Sequence, residues 1–284
     1  MKTYLDCFPC FMRQALFAAR ISTDDVKLQR KVLDRVAEEL KKFPLDATPV
    51  EMGERIHGIV KKVTGNIDPY REEKRKYNEL GMKMLPELRK LVNEADDPLL
   101  MAIRIAIAGN IIDFGSLSEF DVGESLKQAL SQDFAIFDYE KFKEVLEDAK
   151  EIMYIGDNAG EICFDRVLVE VLNNMKKKVY FITREEPVIN DITIDDAEFC
   201  GLSEVANVMS SGSTAPGTII KHTTSEFRQL FYEVPMIIAK GQGNYETLSD
   251  EKRPIFFLLK VKCPVVAKDI GAKNMDIVLK YNLS

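Results

Sequence analysis

Residues 151–183 read EIMYIGDNAGEICFDRVLVEVLNNMKKKVYFIT. Two short apolar runs, IMYIG and KVYFIT, flank a longer stretch, GEICFDRVLVEVLNNMKKK, that reads as a helix. Neither run alternates in polarity, so each reads as a strand buried on both faces, as in a parallel sheet covered by helices. The alternation continues downstream. ANVMSSG, PMIIAKG and CPVVAK are expected as three more strands, with TTSEFRQLFYEV as a helix between the first two of them. Strand and helix in turn imply a doubly wound, mostly parallel, Rossmann-like α/β sheet over residues 151–284, with its strand order open.

Residues 1–150 carry a different pattern and are expected as a helical region. Val26, Val32, Leu33, Val36 and Leu40 form a stripe of helical period. Thr48 and Pro49 make a cap and first-turn pair for a helix ending near Gly65. The charged stretch 68–95 reads as helical, with a break or kink expected at Pro86. Residues 99–108 are almost unbroken apolar and predict a helix buried on most sides. Amphipathic stretches around 123–131 and 138–149 complete the region.

A chain of 284 residues with 46 % hydrophobic and 30 % charged residues has the composition of a globular protein. Its formal charge of −7 argues against a nucleic-acid surface. No apolar stretch approaches the roughly 20 residues that span a bilayer, and MKTYLDCFPCFMRQ lacks the apolar segment of a signal peptide. Five cysteines without framework spacing suit a reducing compartment. A cytoplasmic protein meeting neither nucleic acid nor membrane is expected; oligomeric state is not readable.

In open α/β sheets ligands bind outside the carboxyl ends of the strands. Asp157, Asn158 and Glu161 follow the first strand, and Arg184, Asn190 and Asp191 follow the second. Ser211 lies in the SSGSTAPGT loop after the third, while Lys240, Gly241, Gly243 and Asn244 close the fourth. Carboxylate and amide oxygens suit a hard divalent ion. Lys, Arg and glycine-loop N–H groups are what a phosphate needs. A metal and a phosphate in one crevice point to phosphoester chemistry.

GDNAGE (156–161), REEPVIND (184–191) and KGQGNYETL (240–248) resemble the three motifs of the metal-dependent damage-control phosphatases, catalogued as domain of unknown function 89. GNIIDFG (109–115) and the early CFPC (7–10) resemble the CxxC-bearing microbial branch of that family, and the resemblance spans essentially the whole chain. It implies that Asp157, Asn158 and Asp191 ligate a divalent ion (Mn, Ni, Co or Mg) and that Lys240 and Asn244 face a substrate phosphate. Asp157, Asp191 and Lys240 would be catalytic. Asn110, Asp113, Glu161, Arg184, Asn190, Ser211, Gly241 and Gly243 would line the substrate site. Family members hydrolyse phosphate esters of small metabolites, often reactive or misplaced sugar phosphates. Without the Asp-x-Asp-Gly-Thr stretch of haloacid-dehalogenase phosphatases, a water nucleophile is favoured over an aspartate. Two rivals stand: an S-adenosylmethionine-dependent methyltransferase, which would want a G-x-G turn where Asp157 and Asn158 stand, and a non-catalytic binder of phosphorylated metabolites.

Plainer readings compete at each position. Asp157 as a helix cap with Glu161 in the first turn is the better bet for an isolated motif, but a second polar cluster after the very next strand reverses it. Asp191 suits a turn, Asp195 and Asp196 suit a helix start, and Asn110 and Asp113 sit where Gly109 or Gly115 would cap a helix. Cys7 and Cys10 read as small buried hydrophobes one turn apart. His57 and His222 read as surface or capping residues.

Overall fold

A computed structural model describes residues 1–110 and 126–283 of the chain. Asp113 and most of GNIIDFG lie outside the described residues. Helices α1 (Cys7–Ser22), α2 (Val26–Leu40) and α3 (Pro49–Thr64) pack their apolar stripes together, with Phe11, Ala15, Val32, Val36, Met52 and Ile56 at the centre. Thr48 and Glu51 form a reciprocal capping box that starts α3. α4 (Arg71–Asn93) continues through Pro86, so of the break or kink expected there the break does not occur. Leu85 and Leu88 are buried on either side of that proline, and their packing holds the helix across the lost hydrogen bond. α5 (Pro98–Gly109) is buried along most of its length, as its unbroken apolar run implies.

The remaining elements, in chain order, are β1 (Phe134–Phe137), α6 (Tyr139–Asp148), β2 (Glu151–Ile155), α7 (Glu161–Asn174), β3 (Lys178–Thr183), α8 (Ile194–Phe199), β4 (Asn207–Ser210), α9 (Ser225–Glu233), β5 (Met236–Lys240), α10 (Gly241–Leu248), β6 (Ile255–Lys260), α11 (Pro264–Ile270) and β7 (Ile277–Tyr281). Among the described residues the strands form one sheet in the order β1-β7-β6-β5-β2-β3-β4. Every neighbouring pair is parallel except β6 and β7. The fold is thus the expected mostly parallel α/β sheet.

Successive strand residues turn to opposite faces, and both faces are covered. Tyr154, Phe181, Ile238 and Phe256 share a core with Leu88 of α4, Ile103 of α5 and Phe164 of α7. Ile155, Ile182, Ile237 and Phe257 share another with Phe231 of α9, Leu248 of α10 and Val266 of α11. Burial on both sides is why these runs show no polar alternation.

Three details differ from expectation. CPVVAK is not a strand: Pro264 occupies the first turn of α11, where its fixed φ and missing N–H favour a helix start. Residues 1–150 are not wholly helical, because FAIF forms β1 and pairs in parallel with β7. IFFLLK and IVLKY, not among the expected strands, are β6 and β7. From β2 the chain steps outward to β3 and β4, then returns to place β5 on the other flank of β2. The strand order therefore switches direction between β2 and β5, and the carboxyl ends of strands at such a point are where open α/β sheets bind their ligands. No helix among the described residues is long and apolar enough to cross a membrane.

Candidate active site

Asp157 and Lys240 stand at that switch point, two residues past β2 and at the end of β5. The loop after β3 is drawn beside them by backbone pairing. Asn158 and Asp191 form an isolated antiparallel bridge, Ala159 N–H donates to the Asn190 carbonyl (2.8 Å), and Ile192 N–H donates to the Asp157 carbonyl (3.0 Å). The end of α5 closes the group. Asn110 Nδ2 donates to Asp157 Oδ2 (3.3 Å) and Glu161 Oε1 (2.8 Å), and Asn158 Nδ2 donates to the same two oxygens at 2.8 Å each.

Two cations lie beneath these acids. Lys240 Nζ donates to Asp165 Oδ1 at 2.6 Å and stands 3.6 Å from Glu161 Oε2. Arg184 donates from Nε to Asp191 Oδ1 (2.8 Å), from Nη1 to Thr218 Oγ1 (3.1 Å) and from Nη2 to Asn244 Oδ1 (3.3 Å). Asn244 in turn donates to the Lys240 carbonyl (2.8 Å) and the Gly156 carbonyl (3.2 Å), tying β5 to β2.

Burial and crowding set the charge states. Burial pushes the Asp157 carboxyl well above the usual carboxylate range, helped by the charges of Glu161 and Asp191 and opposed by Arg184. Burial also lifts Asp191 and Asp165, each to about 6, against the pull of Arg184 and Lys240 respectively. For Lys240 burial works against the ammonium, yet Asp165 and Glu161 outweigh it and hold its pKa above the ordinary lysine value.

With all four ionised, the buried acids Asp157, Glu161, Asp165 and Asp191 would face two buried cations, Lys240 and Arg184, with a formal excess of two negative charges. Glu161 Oε2 is buried without a hydrogen-bond partner. Charge of that sign and size, in oxygen donors, fits a hard divalent cation. Among the described residues no three His, Cys, Asp or Glu side chains gather at metal-ligand spacing. A cation here would therefore rely on two carboxylates and an amide, with water or substrate completing its shell, the usual arrangement for Mg²⁺-like ions.

The model of the damage-control phosphatase ARMT1-like domain matches residues 3–278. Damage-control phosphatases of Pyrococcus horikoshii and Archaeoglobus fulgidus are 35 % and 34 % identical to the chain, covering 99 % and 96 % of it and 99 % and 97 % of the relatives. The chain belongs to the damage-control phosphatase family. A solved structure from P. horikoshii, titled a protein of the DUF89 (domain of unknown function 89) family, superposes with a TM-score of 0.93 at 34 % identity, each chain covered to 99 %.

Of the candidates the family motifs supplied, the structure brings Asn110, Asp157, Asn158, Glu161, Arg184, Asp191, Lys240, Gly241 and Asn244 into one buried network. Lys240 and Asn244, expected to face a phosphate, are fully buried and bonded to protein groups, β5 lying in the interior of the sheet. Gly241 and Gly243 make room for protein rather than open space: Cβ atoms there would fall 1.9 Å from Asp157 Oδ2 and 2.2 Å from the Pro216 carbonyl. Asn190 contributes its carbonyl to the loop pairing. Ser211 stands apart, its Oγ accepting from Ser213 N–H (3.2 Å) to shape its own loop.

Other residues entered unannounced. Asp165 was signalled only by being an acid in the apolar stretch EICFDRVLVEV. Asn78 of α4 accepts from Gly160 N–H (2.8 Å) and donates to Asp196 Oδ1 (2.8 Å), and Lys74 pairs with Asp196 Oδ2 (2.8 Å). The helical region thereby clamps the GDNAGE loop, and Asp196 is a buried ion-pair partner as well as a capping-box residue. His57 is buried beside Gln14 rather than exposed, while His222 reaches Glu54 at 2.9 Å. Cys7 is buried but Cys10 is exposed, and with Cys263 both line a cavity of ≈ 550 Å³.

Proposed function

We propose that this protein is a divalent-metal-dependent phosphatase acting on phosphate esters of small metabolites, sugar phosphates among them. The observation that carries the reading is the buried excess of two negative charges at the switch point, in a chain of this family. Asp157, Asn158 and Asp191 would hold the cation. When bound, a divalent ion supplies Lewis acidity toward a phosphoryl oxygen and toward water.

The chain's own groups do the rest. Arg184 fixes Asp191 through Oδ1, and Asn110 and Asn158 together fix Asp157 and Glu161. The first-turn N–H groups of α10 present positive potential to a phosphate. Preorganised donors of this kind stabilise the charge that grows on the transferred group. α4 and α5 pack against α7, and Asn78 and Asn110 hold the GDNAGE loop from that side.

The test is phosphate release from a panel of sugar phosphates, with and without Mn²⁺, Mg²⁺, Co²⁺ or Ni²⁺. Release should require the ion and vanish in Asp157→Asn and Asp191→Asn variants that still fold. Undiminished release after exhaustive chelation would overturn the metal assignment. No release from any ester with any ion would leave a binder, or a methyl-transferring enzyme, in its place.

A further inference from the structure

Asp165 lies one helical turn beyond Glu161 on α7, and both carboxylates turn to one ammonium. Lys240 Nζ and Tyr154 Oη donate to the same oxygen, Asp165 Oδ1, at 2.6 and 2.7 Å. All three side chains are fully buried, and Asp165 Oδ2 has no hydrogen-bond partner. A buried carboxylate with one oxygen unsatisfied is costly, and an apolar side chain would pack there at less expense. Its charge is what distinguishes it. Without Asp165, the acids Asp157, Glu161 and Asp191 would face Lys240 and Arg184 with an excess of one negative charge rather than two. The ammonium's nearest remaining acid would be Glu161, 3.6 Å away, and Lys240 would neutralise the very cluster that a cation has to enter.

We infer that Asp165 is a positioning residue that cancels the charge of Lys240 and thereby sets the affinity of the site for a divalent cation. It touches neither cation nor substrate. The inference rests on the divalent-cation reading above.

The experiment is calorimetric titration of Mn²⁺ into chelator-stripped full-length protein, with circular dichroism reporting the fold of each variant. Asp165→Asn keeps the shape and can still accept from Lys240 and Tyr154, but it removes the charge. It should weaken Mn²⁺ binding by roughly tenfold or more, the scale of one unit charge acting on a dication inside a protein. Lys240→Met should tighten binding. The double variant Asp165→Asn/Lys240→Met restores the excess of two negative charges and should return affinity to near that of the natural protein. Tyr154→Phe removes a hydrogen bond but no charge and should leave affinity near that value. Unchanged affinity in Asp165→Asn, or a double variant as weak as Asp165→Asn, overturns the inference. If Asp165→Asn does not fold, Lys240→Met decides, and binding no tighter than in the natural protein overturns it. A natural protein that binds no divalent ion instead overturns the metal reading on which the inference stands.

Discussion

Gly241→Ala tests the geometry of the site with one methyl group. Gly241 joins β5 to α10 at φ +77°, and a Cβ there would lie 1.9 Å from Asp157 Oδ2 and 2.4 Å from its carboxyl carbon. Ordinary contact begins at 3.4 Å, so the difference between 3.4 and 1.9 requires Asp157 to retreat by 1.5 Å. Alanine in the left-handed region costs about 1–2 kcal/mol. Displacing Asp157 also weakens its bonds from Asn110 and Asn158, a further loss of about 1–3 kcal/mol for a charge-assisted pair. The total, roughly 2–5 kcal/mol, should lower Tm by about 3–8 °C in a protein of this size. A misplacement of about 1 Å typically costs about a hundredfold in turnover. Calorimetry, Mn²⁺ titration and phosphate release read the three consequences separately. Gly58→Ala is the control: it lies within α3 with nothing within 4 Å of the added atom, so it should stabilise by about 1 kcal/mol. A Gly241→Ala protein that loses only the cost of left-handed alanine, with Mn²⁺ affinity and turnover intact, would refute the contact between these two loops.

Burial lifts the Glu246 carboxyl from 4.5 to about 7, so the folded state binds more protons there and stability should fall as pH rises from 4.5 to 7, by about 3 kcal/mol at most. Burial, helped by Lys61, depresses His57 from 6.5 to about 4, so the unfolded state binds more protons and stability should fall as pH drops from 6.5 to 4, again by about 3 kcal/mol at most. The two slopes oppose each other between 4.5 and 6.5. Asp165 and Asp191, also lifted to about 6, titrate in the same window, so denaturant melts compare each variant with the natural protein: the stability lost in Glu246→Gln should shrink as pH rises and that lost in His57→Gln should grow, and differences that do not change with pH would disprove the assignments. Cys10→Ser should leave stability within about 0.5 kcal/mol because the thiol is exposed, whereas Cys7→Ala, in the core of α1 to α3, should cost about 1–2 kcal/mol; equal melting temperatures would contradict the difference in burial.

The elements that could be read from sequence are those whose pattern has one physical cause. β2 and β3 are apolar on both faces because both faces are covered, and Thr48 with Pro49 announces α3 by a cap that acts locally. The failures come where local and distant forces compete. Pro86 has the sequence signature of a break, yet Leu85 and Leu88 bury themselves against the core and keep α4 whole. CPVVAK has the β-branched residues of a strand, and one proline in the first turn outweighs them. β1 is four residues whose burial alternates, a signal too short to separate from the amphipathic helices on either side of it.

The site was readable to the extent that its residues sit at the ends of strands. Loops after β2, β3 and β5 must gather at one edge of a parallel sheet, so the sequence alone groups Asp157, Asp191 and Lys240. What each side chain meets depends on strand order, which no local pattern records. Lys240 is drawn to Asp165, 75 residues away in sequence, because β5 lies directly beside β2 and the helix after β2 packs across the strands. With β5 at the edge of the sheet, the same lysine would have faced solvent and the same aspartate would have been an unpaired charge in a helix. The buried charge is thus a property of the topology as much as of the residues. Four acids against two bases favour a dication only when burial keeps all six from water, and it is the reversal of strand order between β2 and β5 that brings them to a common interior.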